Sequence, residues 1–243
     1  MPSLPTVAEA RDRVRHLLSR RELALLLILA TLALGAWATL GIADEVSEGD
    51  THEWDRAVLM LFRENGDRND PLGPREVENA VRDVTALGSV AVISFLTIAA
   101  VAFLWISRRR RLGVFVLFAS LGGAGLSYAL KYLYDRPRPS FVPAEALPGD
   151  PSFPSGHSAS SAVIYLTLAL LLTHALDQRR QQVFVVAMAV VVALAVGVSR
   201  LYLGVHWPSD VLAGWALGAA WALACWQAER ALRRRGLTKP SAS

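Results

Sequence analysis

Three short polar clusters stand out in a chain of 243 residues of which 53% are hydrophobic. The first carries Lys131, Arg136 and Arg138; the second is Phe153-Pro154-Ser155-Gly156-His157; the third is Ser199-Arg200 followed by His206-Trp207-Pro208-Ser209-Asp210. Lys131, Arg136, Arg138 and Arg200 taken singly are explained as side chains that snorkel from helix ends to lipid headgroups. Taken together, four cations with His157, His206 and few carboxylates describe a site for a polyanion such as a phosphate ester. Arginine's forked guanidinium suits phosphate oxygens in particular.

The local patterns sharpen that chemistry. Pro154 and Ser155 are helix-start signals, and Gly156 lets another group approach the backbone closely. Free N–H groups at such a start bind phosphate oxygens, although an ordinary turn and cap would use the same residues. His206 and Asp210 stand four apart, so they face each other across one helical turn. A carboxylate beside an imidazole fixes its tautomer and supports positive charge on it; a capping Asp near an interfacial His is the plainer alternative. His157, His206 and Asp210 are also possible zinc ligands. The neighbouring cations oppose a bound dication and no Asp/Glu cluster offers a magnesium site, so the expectation is no metal and no cofactor. Arg136, in Asp135-Arg136-Pro137, either touches a second phosphate or headgroup or pairs with Asp135 as a loop strut. His16, His52 and His174 look incidental.

Six stretches almost empty of charge must position these clusters: Leu23 to Ala43, Val84 to Ser107, Leu112 to Leu130, Ser158 to Leu176, Val183 to Ser199 and Val211 to Ala228. A helix rises about 1.5 Å per residue, so roughly 20 apolar residues cross a hydrocarbon core about 30 Å thick. Segments of this length without alternating polarity satisfy their backbone as helices, and a soluble domain of this size has no core large enough to hide six of them. The expected fold class is therefore all-α: a polytopic membrane protein with six transmembrane helices. Ala36-Trp37-Ala38 resembles a cleavage site, but the long apolar run and polar leader mark an uncleaved first helix. The single cysteine, Cys225, is a small core residue within the last span. Gly214 and Gly218 form a small-xxx-small pair in that span, suited to close helix packing.

Charge sets the expected orientation. Arg11, Arg13, Arg15, Arg20 and Arg21 precede the first span, Arg108 to Arg111 separate the second and third, and Arg179 and Arg180 separate the fourth and fifth. Arg230, Arg233, Arg234, Arg235 and Lys239 follow the last, so all clusters fall on one side, the cytoplasmic side, together with both termini. The outer loop Asp44 to Asp83 is acidic, with twelve Asp/Glu against five Arg. Arg runs beside membrane spans are topogenic and lipid-facing, which excludes nucleic acid as a partner. Interfacial helices are expected where Val7, Ala10, Val14, Leu17 and Leu18, and again Trp54, Ala57, Val58, Leu61 and Phe62, repeat at helical spacing. Gly66 to Pro74 reads as a loop. With no internal repeat, residues 1–243 form one membrane domain: a basic leader (1–22), an acidic outer loop (44–83) and a core (84–228).

Lys131, six residues, Arg138-Pro139; Pro154-Ser155-Gly156-His157; and Ser199-Arg200, five residues, His206, three residues, Asp210 together fix eleven positions. This pattern resembles the type 2 phosphatidic acid phosphatase (PAP2) superfamily, over about Val84 to Ala228. The resemblance implies that His206 attacks phosphorus and becomes a phosphohistidine, with Asp210 holding its ring. His157 would then protonate the leaving oxygen and later activate water. Lys131, Arg138, Arg200, Ser155 and the Gly156 N–H would hold the phosphate, with Arg136 as a marginal addition. The implied substrate is a lipid phosphate or diphosphate, such as phosphatidic acid, phosphatidylglycerol phosphate or undecaprenyl diphosphate, at the outer membrane face. Arg-rich, Lys-poor composition and short loops suit a bacterial inner membrane. Two other classes share the pocket: a lipid-phosphate binder or transporter without turnover, and the vanadium haloperoxidases, which are soluble. Substrate identity and oligomeric state are not fixed by the sequence.

Overall fold

A computed structural model describes residues 20–49, 51–64, 67, 69–141 and 149–234. The expected interfacial stripe from Val7 to Leu18 lies outside them, as do Gly66, Lys239 and residues 142–148. The described chain forms eight α-helices: α1 Arg20–Glu48, α2 His52–Met60, α3 Arg75–Ala86, α4 Val90–Ile106, α5 Arg110–Tyr134, α6 Gly156–Leu172, α7 Arg179–Tyr202 and α8 Pro208–Arg234. A short 3-10 turn, Thr173–Ala175, extends α6. Among the described residues there is no strand, only an isolated bridge between Arg63 and Pro71 that closes the loop following α2.

Five segments are long and apolar enough to cross a membrane: Glu22–Glu48, Arg110–Tyr134, Gly156–Ala175, Arg179–Tyr202 and Pro208–Arg233. The sixth span exists only if α3 and α4, bent by 41°, count as one. The continuous helix expected over Val84 to Ser107 is thus corrected to a broken one. Its cause is local: the N–H groups of Leu87, Gly88 and Ser89 reach back only three residues, and Ser89 Oγ then caps α4 by accepting from Val92 N. The break lets the chain press against α6 and α7, because a Cβ on Gly88 would lie 2.5 Å from Val196 Cγ1 and 3.2 Å from the His157 carbonyl. Outward, large apolar side chains lie bare, Trp37 at 74% and Ile106 at 84% exposure, which marks a surface made for lipid rather than water. This is a multi-pass helical membrane protein.

The acidic loop does not stand apart from the bundle. Its helix α2 exposes Trp54 and Leu61, as an interfacial helix would, but it also buries Asp55 and Leu59. Leu59 packs with Phe141, Leu201 and Val211, and Arg63 Nη1 donates to the Tyr202 carbonyl at 2.7 Å. Tyr202 Oη in turn donates to the Leu72 carbonyl at 2.7 Å.

Helix α8 is the centre of the bundle and packs on α1, α5, α6 and α7. Its approach to α6 is the closest the backbone permits: a Cβ at Gly214 would fall 2.7 Å from the Ser155 carbonyl, and one at Gly218 2.5 Å from the Ala159 carbonyl. Sequence spacing anticipated this pair. Because the contact joins the start of α6 to the second and third turns of α8, it helps set the distance between the second and third polar clusters. Gly214→Val should therefore destabilise the fold by about 1–3 kcal/mol through overpacking. Thermal unfolding of the detergent-solubilised protein checks this, since an unchanged midpoint would mean that the helices separate at no cost.

Candidate active site

Asp210 sits in the first turn of α8 with no exposed surface. A buried carboxylate is tolerable only when its oxygens are fully occupied, and here they are. Oδ1 accepts from Arg136 Nη1 at 2.6 Å; Oδ2 accepts from Trp207 N at 2.8 Å and from the Ser152 hydroxyl, and it faces His206 Nδ1 at 3.4 Å. The main-chain carbonyl of Asp210 accepts from Ser155 N at 2.9 Å, tying the start of α8 to the start of α6. With Nδ1 turned to the carboxylate, His206 presents Nε2 to the other side. There Arg138 Nη1 lies 3.1 Å away.

Arg138 reaches that position because α5 ends abruptly. Asp135 takes a left-handed conformation at φ 41°, and its N–H closes on the Lys131 carbonyl. The chain then runs extended, which places Arg136 and Arg138 on opposite sides of the His206–Asp210 pair. Lys131, in the last turn of α5, and Arg138 share one anion: Asp150 Oδ2 lies 2.9 Å from Lys131 Nζ and Asp150 Oδ1 lies 2.8 Å from Arg138 Nη2. Partial burial raises the Asp150 pKa, but hydrogen bonds and charge from Lys131 and Arg138 outweigh that and hold it at about 2. The carboxylate is therefore ionised throughout the physiological range. It is also the exposed member of this trio, its side chain 35% accessible where those of Lys131 and Arg138 are about 5%.

Arg200 comes from the last turn of α7 and donates to Thr85 Oγ1 at 3.1 Å. Its Nε is buried without a partner and remains an open donor. His157, in the first turn of α6, lies within electrostatic reach of Arg200, His206, Arg138 and Lys131. Ser155 is the N-cap of α6: its Oγ accepts from Ser158 N and from Ser158 Oγ at 3.0 Å. At Gly156 an added Cβ would meet Lys131 Cε at 3.7 Å, ordinary van der Waals contact, so the start of α6 lies against the Lys131 side chain. All three sequence clusters thus meet at one end of the bundle. Among the described residues no three His, Cys, Asp or Glu side chains group as metal ligands.

The loop strut between Arg136 and Asp135 is not what is found. Its Nη1 bonds Asp210 and Ser209 Oγ, its Nη2 bonds Asp55 Oδ2 at 2.8 Å and Thr51 Oγ1 at 3.3 Å, and its guanidinium lies over the Trp207 ring. It faces away from Asp150 and makes no strut with Asp135. Sequence reasoning also missed Asp150, Ser152 and Asp55. Ser152 and Asp150 lay within reach of a spacing argument, immediately before the Phe153-Pro154 start signal; Asp55 carried no signal beyond its place in a predicted helix.

An anion pocket beside a carboxylate-held imidazole, at one end of a helical membrane bundle, defines the class of protein. Residues 112–234 match the model of the PAP2 superfamily, and the chain belongs to that superfamily. It is 34% identical over 138 residues to phosphatidylglycerophosphatase B of Bacillus subtilis, covering 56% of this chain and 66% of that one. It is also 34% identical over 117 residues to undecaprenyl-diphosphatase of Sulfolobus acidocaldarius, covering 46% of this chain and 52% of that protein. The chain thus spans between about half and two thirds of these curated relatives. The fold is that of the crystal structure of the transmembrane PAP2 type phosphatidylglycerolphosphate phosphatase from Bacillus subtilis, with a TM-score of 0.68, 24% identity, and coverage of 84% of this chain and 96% of that one.

Burial lowers the His206 pKa from 6.5 to about 4; the Asp210 carboxylate opposes that shift, and Arg200 and Arg138 add to it. The ring is thus neutral at pH 7, and its Nε2 accepts from Arg138 Nη1. A folded pKa below the unfolded value means that the unfolded chain binds more protons, so this group costs stability as pH falls from 6.5 toward 4. Two measurements follow. NMR titration of the His206 ring should give a midpoint near 4 rather than 6.5. Asp150→Asn removes the resident carboxylate and should tighten inorganic phosphate binding by about tenfold, ~1.4 kcal/mol by calorimetry; weaker binding would mean that Asp150 supports the site rather than fills it.

Proposed function

We propose that this protein is a lipid phosphatase that hydrolyses a phosphate or diphosphate ester of a membrane lipid, without a metal, through a phosphohistidine on His206. The observation that carries the reading is the position of Arg138: one guanidinium both clasps an anion with Lys131 and lies 3.1 Å from the imidazole nitrogen turned away from Asp210. An anion taking the place of the Asp150 carboxylate is thereby presented to a neutral nucleophile.

The residues divide the work as follows. His206 Nε2 attacks phosphorus, and the bond from phosphorus to the lipid oxygen breaks as His157 gives that oxygen a proton. Nδ1–H stays on Asp210, whose charge balances the ring's as the N–P bond forms. His157 then takes a proton from water as its oxygen attacks phosphorus, the N–P bond breaks, and inorganic phosphate leaves. Lys131, Arg138, the free Nε of Arg200 and the Gly156 N–H neutralise the equatorial oxygens as charge spreads over them. Ser155 contributes as the cap that aims this helix start, with its hydroxyl beside the same oxygens. Arg136 acts behind Asp210 instead of on substrate.

The curated relatives are named for phosphatidylglycerophosphate and undecaprenyl diphosphate, and a substrate of that class is proposed here. The basic clusters flanking the spans support cytoplasmic termini and a site facing the periplasm or exterior of a bacterial inner membrane.

Phosphate release over a panel of lipid phosphates and diphosphates, with excess chelator, tests the reading. Wild type is expected to turn over at least one lipid and His206→Ala none. With p-nitrophenyl phosphate, whose leaving group needs no proton, His157→Ala should accumulate an acid-labile phosphohistidine. Anion binding without release from any lipid would move the assignment to a binder or transporter, and activity restored only by an added metal would overturn the mechanism.

A further inference from the structure

Helix α2 lies outside the matched residues 112–234, yet it delivers a side chain to the innermost layer of the site. Asp55 has no exposed surface. Its Oδ1 accepts from Ser209 N at 2.9 Å; its Oδ2 accepts from Ser209 Oγ at 2.7 Å and from Arg136 Nη2 at 2.8 Å. Arg136 and Ser209 are two of the residues that hold Asp210 in place, one by an ion pair and the other as its chain neighbour. Asp55 itself touches neither His206 nor Asp150.

We propose that Asp55 is a positioning residue for the reaction described above, acting through Arg136 and Ser209 to keep the Asp210 charge available to His206. The inference rests on that reading of the site. Its physics is a matter of counting charge where water is excluded. With Asp55 present, the guanidinium lies between two carboxylates and the buried trio carries a net charge of −1. That negative charge faces a ring that becomes positive when its Nε2 is phosphorylated. Without Asp55, Arg136 pairs with Asp210 alone and cancels it, so a cationic ring has no counterion in a medium where charge is weakly screened. Asp55 also holds the first turn of α8 at two atoms of Ser209, which fixes where the Asp210 carboxylate points.

A purely structural strut would hold α2 on the bundle and do nothing else, and the two roles separate in Asp55→Asn. The amide oxygen still accepts from Ser209 N and the volume is unchanged; the charge is gone, and the NH2 that takes the place of Oδ2 no longer accepts from Arg136 or Ser209 Oγ. The groups that also face His206 are Asp210 of α8, Arg138 of the segment after α5, Arg200 of α7 and His157 of α6, all retained in the variant. The positioning role predicts kcat lower by about 10- to 100-fold, as for other groups that orient a reacting residue from behind, with KM nearly unchanged. It also predicts that the His206 ring titrates at a lower pH than in wild type, because less negative charge remains to hold its proton. That midpoint is read by NMR without turnover, and Arg136→Lys, which keeps the charge between the carboxylates, should restore most of the distance to the wild-type midpoint relative to Arg136→Gln. A His206 midpoint unmoved in Asp55→Asn, with kcat falling only as far as the folded fraction, would overturn the proposal. Should wild type release no phosphate while the midpoint still moves, the positioning stands and the phosphatase reading fails.

Discussion

The satisfaction of one buried charge organises this end of the molecule. Asp210 has no water to solvate it, so every donor it requires must come from the chain, and the donors lie far apart in sequence. Arg136 follows α5, Ser152 precedes α6, and Trp207 and His206 precede α8. Meeting at one carboxylate, these segments cannot drift independently of one another. The backbone bond from Ser155 N to the Asp210 carbonyl and the close contact of α6 with Gly214 add a second tie at the same level. A buried ion pair is poor evidence of net stability, because desolvation offsets much of its attraction. Its value here is geometric, in that it fixes where the Asp210 carboxylate meets the His206 ring.

Much of this was legible in the sequence, for physical reasons that can be named. Spans are written as long runs without charge, so the lipid-crossing helices stood out; so did Lys131, Arg138 and Arg200, cations on the side that the positive-inside rule disfavours, with His157, His206 and Asp210 beside them. The spacing of four anticipated the His206–Asp210 pairing, although His206 sits in the bend just before α8 and not in a helical turn. Asp55 was not legible. It is one of twelve acidic residues in its loop, and the residue it serves, Arg136, lies 81 positions away, a separation that no local pattern encodes. Arg136 was misread for a related reason: local reasoning offers it Asp135 or a ligand, whereas its partners are set by tertiary packing. The break between α3 and α4 had a local signal in Gly88-Ser89, masked by the apolar residues on either side.

The pocket gathers Lys131, Arg138 and Arg200 around one small volume, and like charges so placed repel unless something neutralises them. Asp150 does so for the first two, with one oxygen for each. Arg200 is held instead by Thr85 of α3, a neutral partner, and keeps a buried donor unused. The three cations are therefore unequal: two are already paired, while one retains capacity for an incoming oxygen.

The Asp150 bridge gives the site an electrostatic character that its cation count alone would conceal. On the proposed reading, a phosphate group entering here would trade places with a tethered carboxylate instead of neutralising a bare positive hole, so occupancy would be an anion exchange that changes the local charge by little. Small ions from solution meet cations that are already paired, and adding salt screens the outgoing attraction along with the incoming one. Such a pocket does not collect any passing anion. It yields to a ligand that brings more charge or more oxygens than one carboxylate can offer, together with an anchor that keeps it at the mouth while the exchange takes place.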